Sequence, residues 1–261
     1  MTNLKISFAG AGNVAATLCR AFYTSGIPID RIVTPTEEKG KALAEDCNAS
    51  WSDDLYFGRS TGVLIVAVPD HTLNDVLNSI ICPQECVVAH TAGSFGLDVF
   101  PPAIKKRGVF YPFQTFTAGR KINTAAIPFL LEASDDDTAQ RLRYLASALG
   151  AKAAFMDTDT RKMLHLAAVF VCNFTNHLLT AGKKITSEAQ LDFNILEPLV
   201  NETVAKAFDS GPDLSQTGPA IRNDLNTIEK HLKLLSFSPE LQKLYNELTE
   251  SIRKHYKTKQ E

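Results

Sequence analysis

Two textures of apolar patterning divide the chain. Through the first 155 residues, short apolar runs rich in β-branched side chains alternate with stretches of helical period. Leu4-Ala9, Arg31-Thr34, Gly62-Val68 and Glu85-His90 read as buried strands, and residues 13–25, 37–46 and 71–81 as the helices between them. Strands separated in this way pair in parallel, because each crossover is a helix. Val109-Phe116 and Ile127-Glu132, a helix over Thr138-Leu149 and a short strand at Lys152-Met156 extend the same sheet, with an antiparallel edge as one arrangement. After Asp157 the strand pattern stops and helical periods take over, at about 160–185, 193–208, 223–235 and 239–257. The expected architecture is α/β: a doubly wound, mostly parallel sheet over residues 1–156, followed by an all-α domain over residues 157–261.

Composition narrows the functions open to such a chain. At 261 residues, 44% hydrophobic and 21% charged, it has the make-up of a globular protein with a sizeable core. Lys and Arg number 27 against 29 Asp and Glu, so no global charge excess draws it to nucleic acid or a membrane surface, and the expected ligand is a small molecule. Its five cysteines lack a CxxC motif or histidines at zinc-like offsets, so neither a disulfide framework nor a metal is expected. The N-terminus enters a strand-like run with no secretory pattern, which gives a cytoplasmic expectation. The apolar stretch Leu164-Leu179 contains His165, Asn173, Asn176 and His177, and reads as a buried helix of a soluble domain rather than a membrane span.

The sharpest local signal is Gly10-Ala11-Gly12-Asn13-Val14-Ala15, a G-x-G-x-x-A run between the first strand and the first helix. Its first glycine allows the tight turn, its second lets backbone N–H groups approach a pyrophosphate, and Ala15 lets helix and strand pack closely. That motif in a βαβ unit makes the sheet Rossmann-type and the ligand a dinucleotide. An NAD site usually places an acidic residue at the end of the second strand; this strand ends Val33-Thr34-Pro35-Thr36, and Thr34, Thr36 and Lys39 suit a 2′-phosphate instead. NADP is therefore preferred, with NAD left open. Val68 and Pro69 end the next strand where ribose and nicotinamide lie, and Asp70 reads as a helix N-cap. Thr91 and Ser94, after His90, are candidates for the carboxamide and the substrate, or simply turn residues.

On a helical wheel His165, Val169, Asn173 and Asn176 fall with Lys162 on one narrow sector of an otherwise apolar helix. Buried polar groups need partners, so the stripe faces a network, a wet cleft or a ligand. His165 is the candidate for proton transfer, Asn173 and Asn176 for orienting substrate or water. Arg222, in Thr217-Gly218-Pro219-Ala220-Ile221-Arg222-Asn223-Asp224, either clamps a substrate carboxylate or pairs with Asp224.

Together, Gly10 to Ala15, Val68-Pro69-Asp70, Tyr111-Pro112-Phe113-Gln114-Thr115-Phe116, the helix from His165 to Asn173, and Thr217 to Asp224 resemble a two-domain family that joins a Rossmann-like domain to a helical domain of unknown function. The chain is more distantly similar to pyrroline-5-carboxylate reductase, ketopantoate reductase and the deazaflavin-dependent NADP reductases. The resemblance implies an NADP-dependent oxidoreductase, hydride transfer to a small carbonyl or imine at an interdomain cleft, and a homodimer formed through the helical domain. It leaves a deazaflavin coenzyme open as redox partner. Tyr111 stands where relatives often carry histidine, and the lysine of hydroxyacid-dehydrogenase relatives has only Lys162 as a counterpart, eleven residues before Asn173. A non-catalytic dinucleotide sensor or scaffold is the alternative, which has no need of the His165–Asn173 stripe.

Overall fold

A computed structural model describes residues 4–257. Eight strands, β1 (Ile6–Ala9), β2 (Ile29–Val33), β3 (Ser50–Ser52), β4 (Val63–Val66), β5 (Val87–His90), β6 (Arg107–Pro112), β7 (Phe129–Ala133) and β8 (Ala153–Phe155), form one sheet in the order β3-β2-β1-β4-β5-β6-β7-β8. All neighbours run parallel except β6 and β7. Strand order reverses beside β1, which leaves a crevice outside the carboxyl ends of β1 and β4 where doubly wound sheets take their ligands.

Side chains explain why the sheet is covered on both faces. Along β4, Val63 and Ile65 enter one apolar cluster and Leu64 and Val66 the other, the alternation a pleated strand imposes. The first cluster is closed by α1 (Asn13–Thr24), α2 (Glu37–Asp46) and, further along the chain, Leu142, Leu145 and Ala146. The second is closed by Leu73 and Leu77 of α3 (Leu73–Ser79) together with Phe57, Phe100 and Ile104. Two departures from the sequence expectation concern short elements. The strand placed at Val109-Phe116 ends at Pro112, which has no N–H to continue a ladder. β3 has three residues, too few to leave a period in the sequence.

Beyond α4 (Asp136–Ala148) and β8, a helical run extends over Thr158–Glu188. It comprises α5 (Thr158–Ala168), a π-helical turn at Val169–Phe174, and α6 (Thr175–Glu188). The remaining helices are α7 (Glu197–Ser210), the short α8 (Pro212–Ser215), α9 (Leu225–Leu234), capped by Asp224, and α10 (Pro239–Lys257). The chain divides into two compact units between Phe170 and Val171, so α5 belongs with the sheet. Within unit two, α10 stays helical to Lys257, with Arg253 paired to Glu250 and His255 to Asp213; Lys259 of the basic C-terminal stretch lies outside the described residues.

Expectation fails most clearly on Leu164-Leu179. The 158–188 run is long and apolar enough to cross a membrane, with mean hydropathy 1.2, yet none of that apolar window is buried. Met163, Leu166, Phe170, Val171 and Phe174 are exposed. Periodicity locates an apolar face without saying what covers it, and the described chain covers this one only in part. The π turn also disturbs the inferred polar stripe. Its wider winding makes residues beyond it lag the α-helical angle, so the wheel that aligned His165 with Asn173 and Asn176 does not carry through.

Candidate active site

The glycine turn is built as its spacing requires. Gly10 has φ +109°, and a Cβ there would lie 2.2 Å from the Ala67 carbonyl oxygen, so backbone and neighbour both demand glycine. Gly12 faces open space: nothing lies within 4 Å of where its Cβ would be. It caps α1 without a side-chain hydrogen bond, and the first turn carries no acidic residue, which leaves the helix N-terminus available to an anion. Ala15 is fully buried against the sheet.

Above this turn lies a cavity of about 540 Å³. Gly10, Ala11 and Gly12 line its floor, Thr34, Thr36 and Lys39 one wall, and Val68 and Pro69 another. The other expected cofactor residues stand outside it. Asn13 Nδ2 donates to the Phe116 carbonyl at 3.3 Å, Val14 packs on the core, and the Thr91 N–H donates to the Val66 carbonyl at 3.1 Å. The Trp51 indole donates to the Thr34 carbonyl at 3.2 Å, in space that only a glycine at position 40 leaves open. Lys39 makes no ion pair among the described residues. A residue that sequence reasoning missed, Asp53, shares this lining; it follows β3, whose brevity hid it.

At the same sheet edge, the segment after β5 is held by two buried anchors. His90, fully buried, accepts the Ala92 N–H on Nδ1 at 3.3 Å, has Nε2 3.3 Å from the Gly96 carbonyl, and stacks on Phe100. Burial pushes its pKa down to about 4, which keeps it neutral with the proton on Nε2. Asp70, expected as an N-cap, instead accepts from Ser94 Oγ at 2.8 Å, and Pro69 takes the capping position of that turn. Ser94, expected at the substrate, is thus engaged in fixing the loop.

The second anchor is Arg161 of α5, with no exposed side-chain surface. It donates from Nη1 to Glu132 Oε2 and from Nη2 to the Phe95 carbonyl, both at 2.6 Å, and Thr158 Oγ1 donates to the same carboxylate. One turn further on, His165 Nδ1 lies 2.9 Å from the Tyr111 hydroxyl, with the two rings edge to face. A Cβ at Gly93 would lie 2.8 Å from both His165 Nδ1 and Tyr111 Cζ, so this glycine admits the pair. Tyr111 was legible in the sequence only as a departure from its relatives. Lys162 is exposed beside this pair on α5. Asn173, in the π turn, Asn176, on α6, and Arg222, before α9, are exposed residues of the second unit.

The fold and the glycine cradle define a Rossmann-type nucleotide-binding protein, and comparison with known proteins narrows the class. Residues 5–93 match the family described as NADP oxidoreductase, coenzyme F420-dependent, and residues 127–252 match a domain of unknown function, DUF2520. A Bacteroides fragilis protein provisionally named an NADP oxidoreductase is 36% identical over 97% of this chain and 98% of its own, with a TM-score of 0.88. An imine reductase from Myxococcus stipitatus in complex with NADP+ shares the fold at 16% identity and a TM-score of 0.66, covering 97% of this chain and 94% of its own. A reductive aminase from Aspergillus terreus in complex with NADPH and ethyl-5-oxohexanoate does so at 13% and 0.73, with the same coverage. A search of curated proteins finds no match. The chain belongs to the two-domain NADP oxidoreductase family that pairs this Rossmann domain with a DUF2520 helical domain.

Proposed function

We propose that the protein uses NADPH to reduce a small carbonyl or imine compound, with His165 as the acid/base group. The carrying observation is an open glycine cradle and, on the wall of the same cavity, a lysine with no ion pair among the described residues. The helix N-terminus behind Gly12 would hold the pyrophosphate, and Thr34, Thr36 and Lys39 the 2′-phosphate, with no acidic residue at the carboxyl end of β2 to repel it, Asp30 lying near the other end of the strand. Bound NADPH supplies a hydride; the protein must supply the proton. His165 stands at the same carboxyl edge of the sheet, on a helix fixed by the Arg161–Glu132 pair.

Titration with NADPH and NADH, followed by nicotinamide fluorescence and thermal shift, tests this. NADPH binds more tightly, and Lys39→Ala weakens NADPH by about tenfold or more while leaving NADH nearly unchanged, since one charge-assisted bond is lost. A panel of cyclic imines and α-keto acids then reports turnover. Binding of neither nucleotide would remove the reading; binding without turnover of any panel member would favour the sensor or scaffold alternative.

The exposed apolar side chains of the second unit, among them Phe208, Leu214 and Leu234, support a homodimer formed through its helices. A cytoplasmic location accords with free cysteines at all five positions.

A further inference from the structure

We propose that Tyr111 is a positioning and relay residue for this reduction, acting through His165. The inference rests on the reductase reading and assigns its proton path. His165 has two ring nitrogens with different surroundings: Nδ1 lies 2.9 Å from the Tyr111 hydroxyl, and Nε2 has no hydrogen-bond partner among the described residues. A phenol is a far better donor than a neutral imidazole N–H, so the O–H of Tyr111 donates and Nδ1 accepts. The neutral ring therefore carries its proton on Nε2, the nitrogen left for a substrate.

Three features hold this arrangement. Tyr111 sits one residue from the carboxyl end of β6, paired across to Leu130 of β7, so its backbone is fixed by the sheet. α5 is pinned one turn before His165 by Arg161, bonded to Glu132 of the same β7 and to the Phe95 carbonyl. Gly93 approaches both rings too closely for any side chain. Sheet, helix and loop thus converge on one phenol–imidazole contact, in a chain whose two residues at that contact are separated by 54 positions.

As the substrate carbon takes up the hydride and its electron pair, the carbonyl oxygen or imine nitrogen takes the proton from Nε2. The Nε2–H bond breaks and the product O–H or N–H bond forms. At Nδ1 the Tyr111 O–H bond breaks and an N–H bond forms, so the imidazole stays neutral throughout. Before the next turnover solvent delivers a proton to Nε2 and the Nδ1 proton returns to the phenolate, which restores the starting tautomer.

The test combines a measurement on the protein alone with a kinetic one. With 15N-labelled histidine at pH 8, and His165→Gln to assign the signal, the imidazole of His165 is expected to show a bare Nδ1 and a protonated Nε2. Tyr111→Phe, which keeps the ring and its packing, is expected to turn this into a mixture of tautomers. The same variant is expected to lower kcat about 100-fold for the fastest substrate of the imine and keto-acid panel, with KM within about twofold. A protonated Nδ1 in the unmodified protein, or an unchanged kcat in a folded Tyr111→Phe variant, would overturn the proposal. The two failures are distinguishable: absence of NADPH binding overturns the reductase reading and the relay with it, whereas normal NADPH binding with a protonated Nδ1 overturns the relay alone.

Discussion

The two compact units have similar apolar content in their helices and dispose of it in opposite ways. In the first, β1, β4 and β5 are buried along their whole length, and the helices on either face close the two clusters around them. In the second, buried apolar residues among the described positions are only Ala220, Ile228 and Leu235, while Phe208 is 88% exposed and Leu214 84%. A sheet strand with both faces covered satisfies its backbone and its side chains within one chain. An amphipathic helix satisfies only its backbone, and its apolar face still needs a surface. The sheet of the first unit is thus closed on both faces, whereas α5 at the end of that unit and the helices of the second carry apolar faces still to be covered.

The largest effect expected of a single change lies where the first unit holds α5. Arg161→Ala removes the only cation that, among the described residues, is bonded to the partly buried Glu132 carboxylate, and frees the Phe95 carbonyl. Stability in urea should fall by about 3–5 kcal/mol, the size associated with leaving a buried charge unpaired. The counterpart in the second unit is Lys184, whose Nζ donates to Ser238 Oγ at 2.9 Å. Lys184→Ala should cost no more than about 1 kcal/mol, as a single hydrogen bond beside solvent does. Equal losses for the two variants would mean that the contrast between the units has no energetic content.

The same contrast explains what could be read from the sequence. β1, β4 and β5 were legible because a strand buried on both faces needs an unbroken apolar run, and Gly10 and Gly12 because their spacing after such a run marks a strand–turn–helix cradle, in which the positive φ of Gly10 and the Ala67 carbonyl beside it leave no room for a side chain. Tyr111 was not assigned a partner, since a contact over 54 positions of sequence leaves no local trace. Asp53 was missed because a three-residue strand has no period. The helix at Leu164-Leu179 was recognised as apolar and wrongly taken as buried, because the pattern reports the character of a face and not its neighbour. Asp70 was misread for a related reason: an acidic residue ahead of a helix suits a cap, and only the fold shows that Ser94 has taken its carboxylate.

A smaller effect, spread over a pH window, tests the interior of the first unit. His90 is neutral in the folded protein, with its pKa lowered to about 4 by burial. An unfolded histidine titrates near 6.5, so between pH 6.5 and about 4 the unfolded chain binds a proton that the folded chain refuses. Stability should therefore be fully present above pH 6.5 and fall as pH is lowered, by roughly 3 kcal/mol in all. The carboxyls of Asp135, Asp137 and Asp157 are held below their ordinary range and add their own losses at the acid end of that window and below. Urea unfolding of the parent and of His90→Phe at half-unit steps isolates the histidine. The variant should show a shallower slope between pH 6.5 and 5, whatever its absolute stability; parallel curves would show that His90 is not the group responsible.

The smallest effect on the isolated chain should come from the second unit, and there the expected change is in assembly. Phe208→Ser removes a large side chain that touches little of its own unit, so stability measured at high dilution should change by no more than about 0.5 kcal/mol. If the exposed helices pair, the same change removes an aromatic anchor worth about 2 kcal/mol, roughly a 30-fold weaker dimer, readable by sedimentation over a concentration series. Ile81→Ser in the first unit is the matched control, because Ile81 is also well exposed and stands just before β5 of the closed sheet. Its association should match that of the parent. A parent protein that stays monomeric at every concentration would show that the exposed face has another occupant, and equal weakening by Phe208→Ser and Ile81→Ser would remove the distinction between a closed unit and an open one.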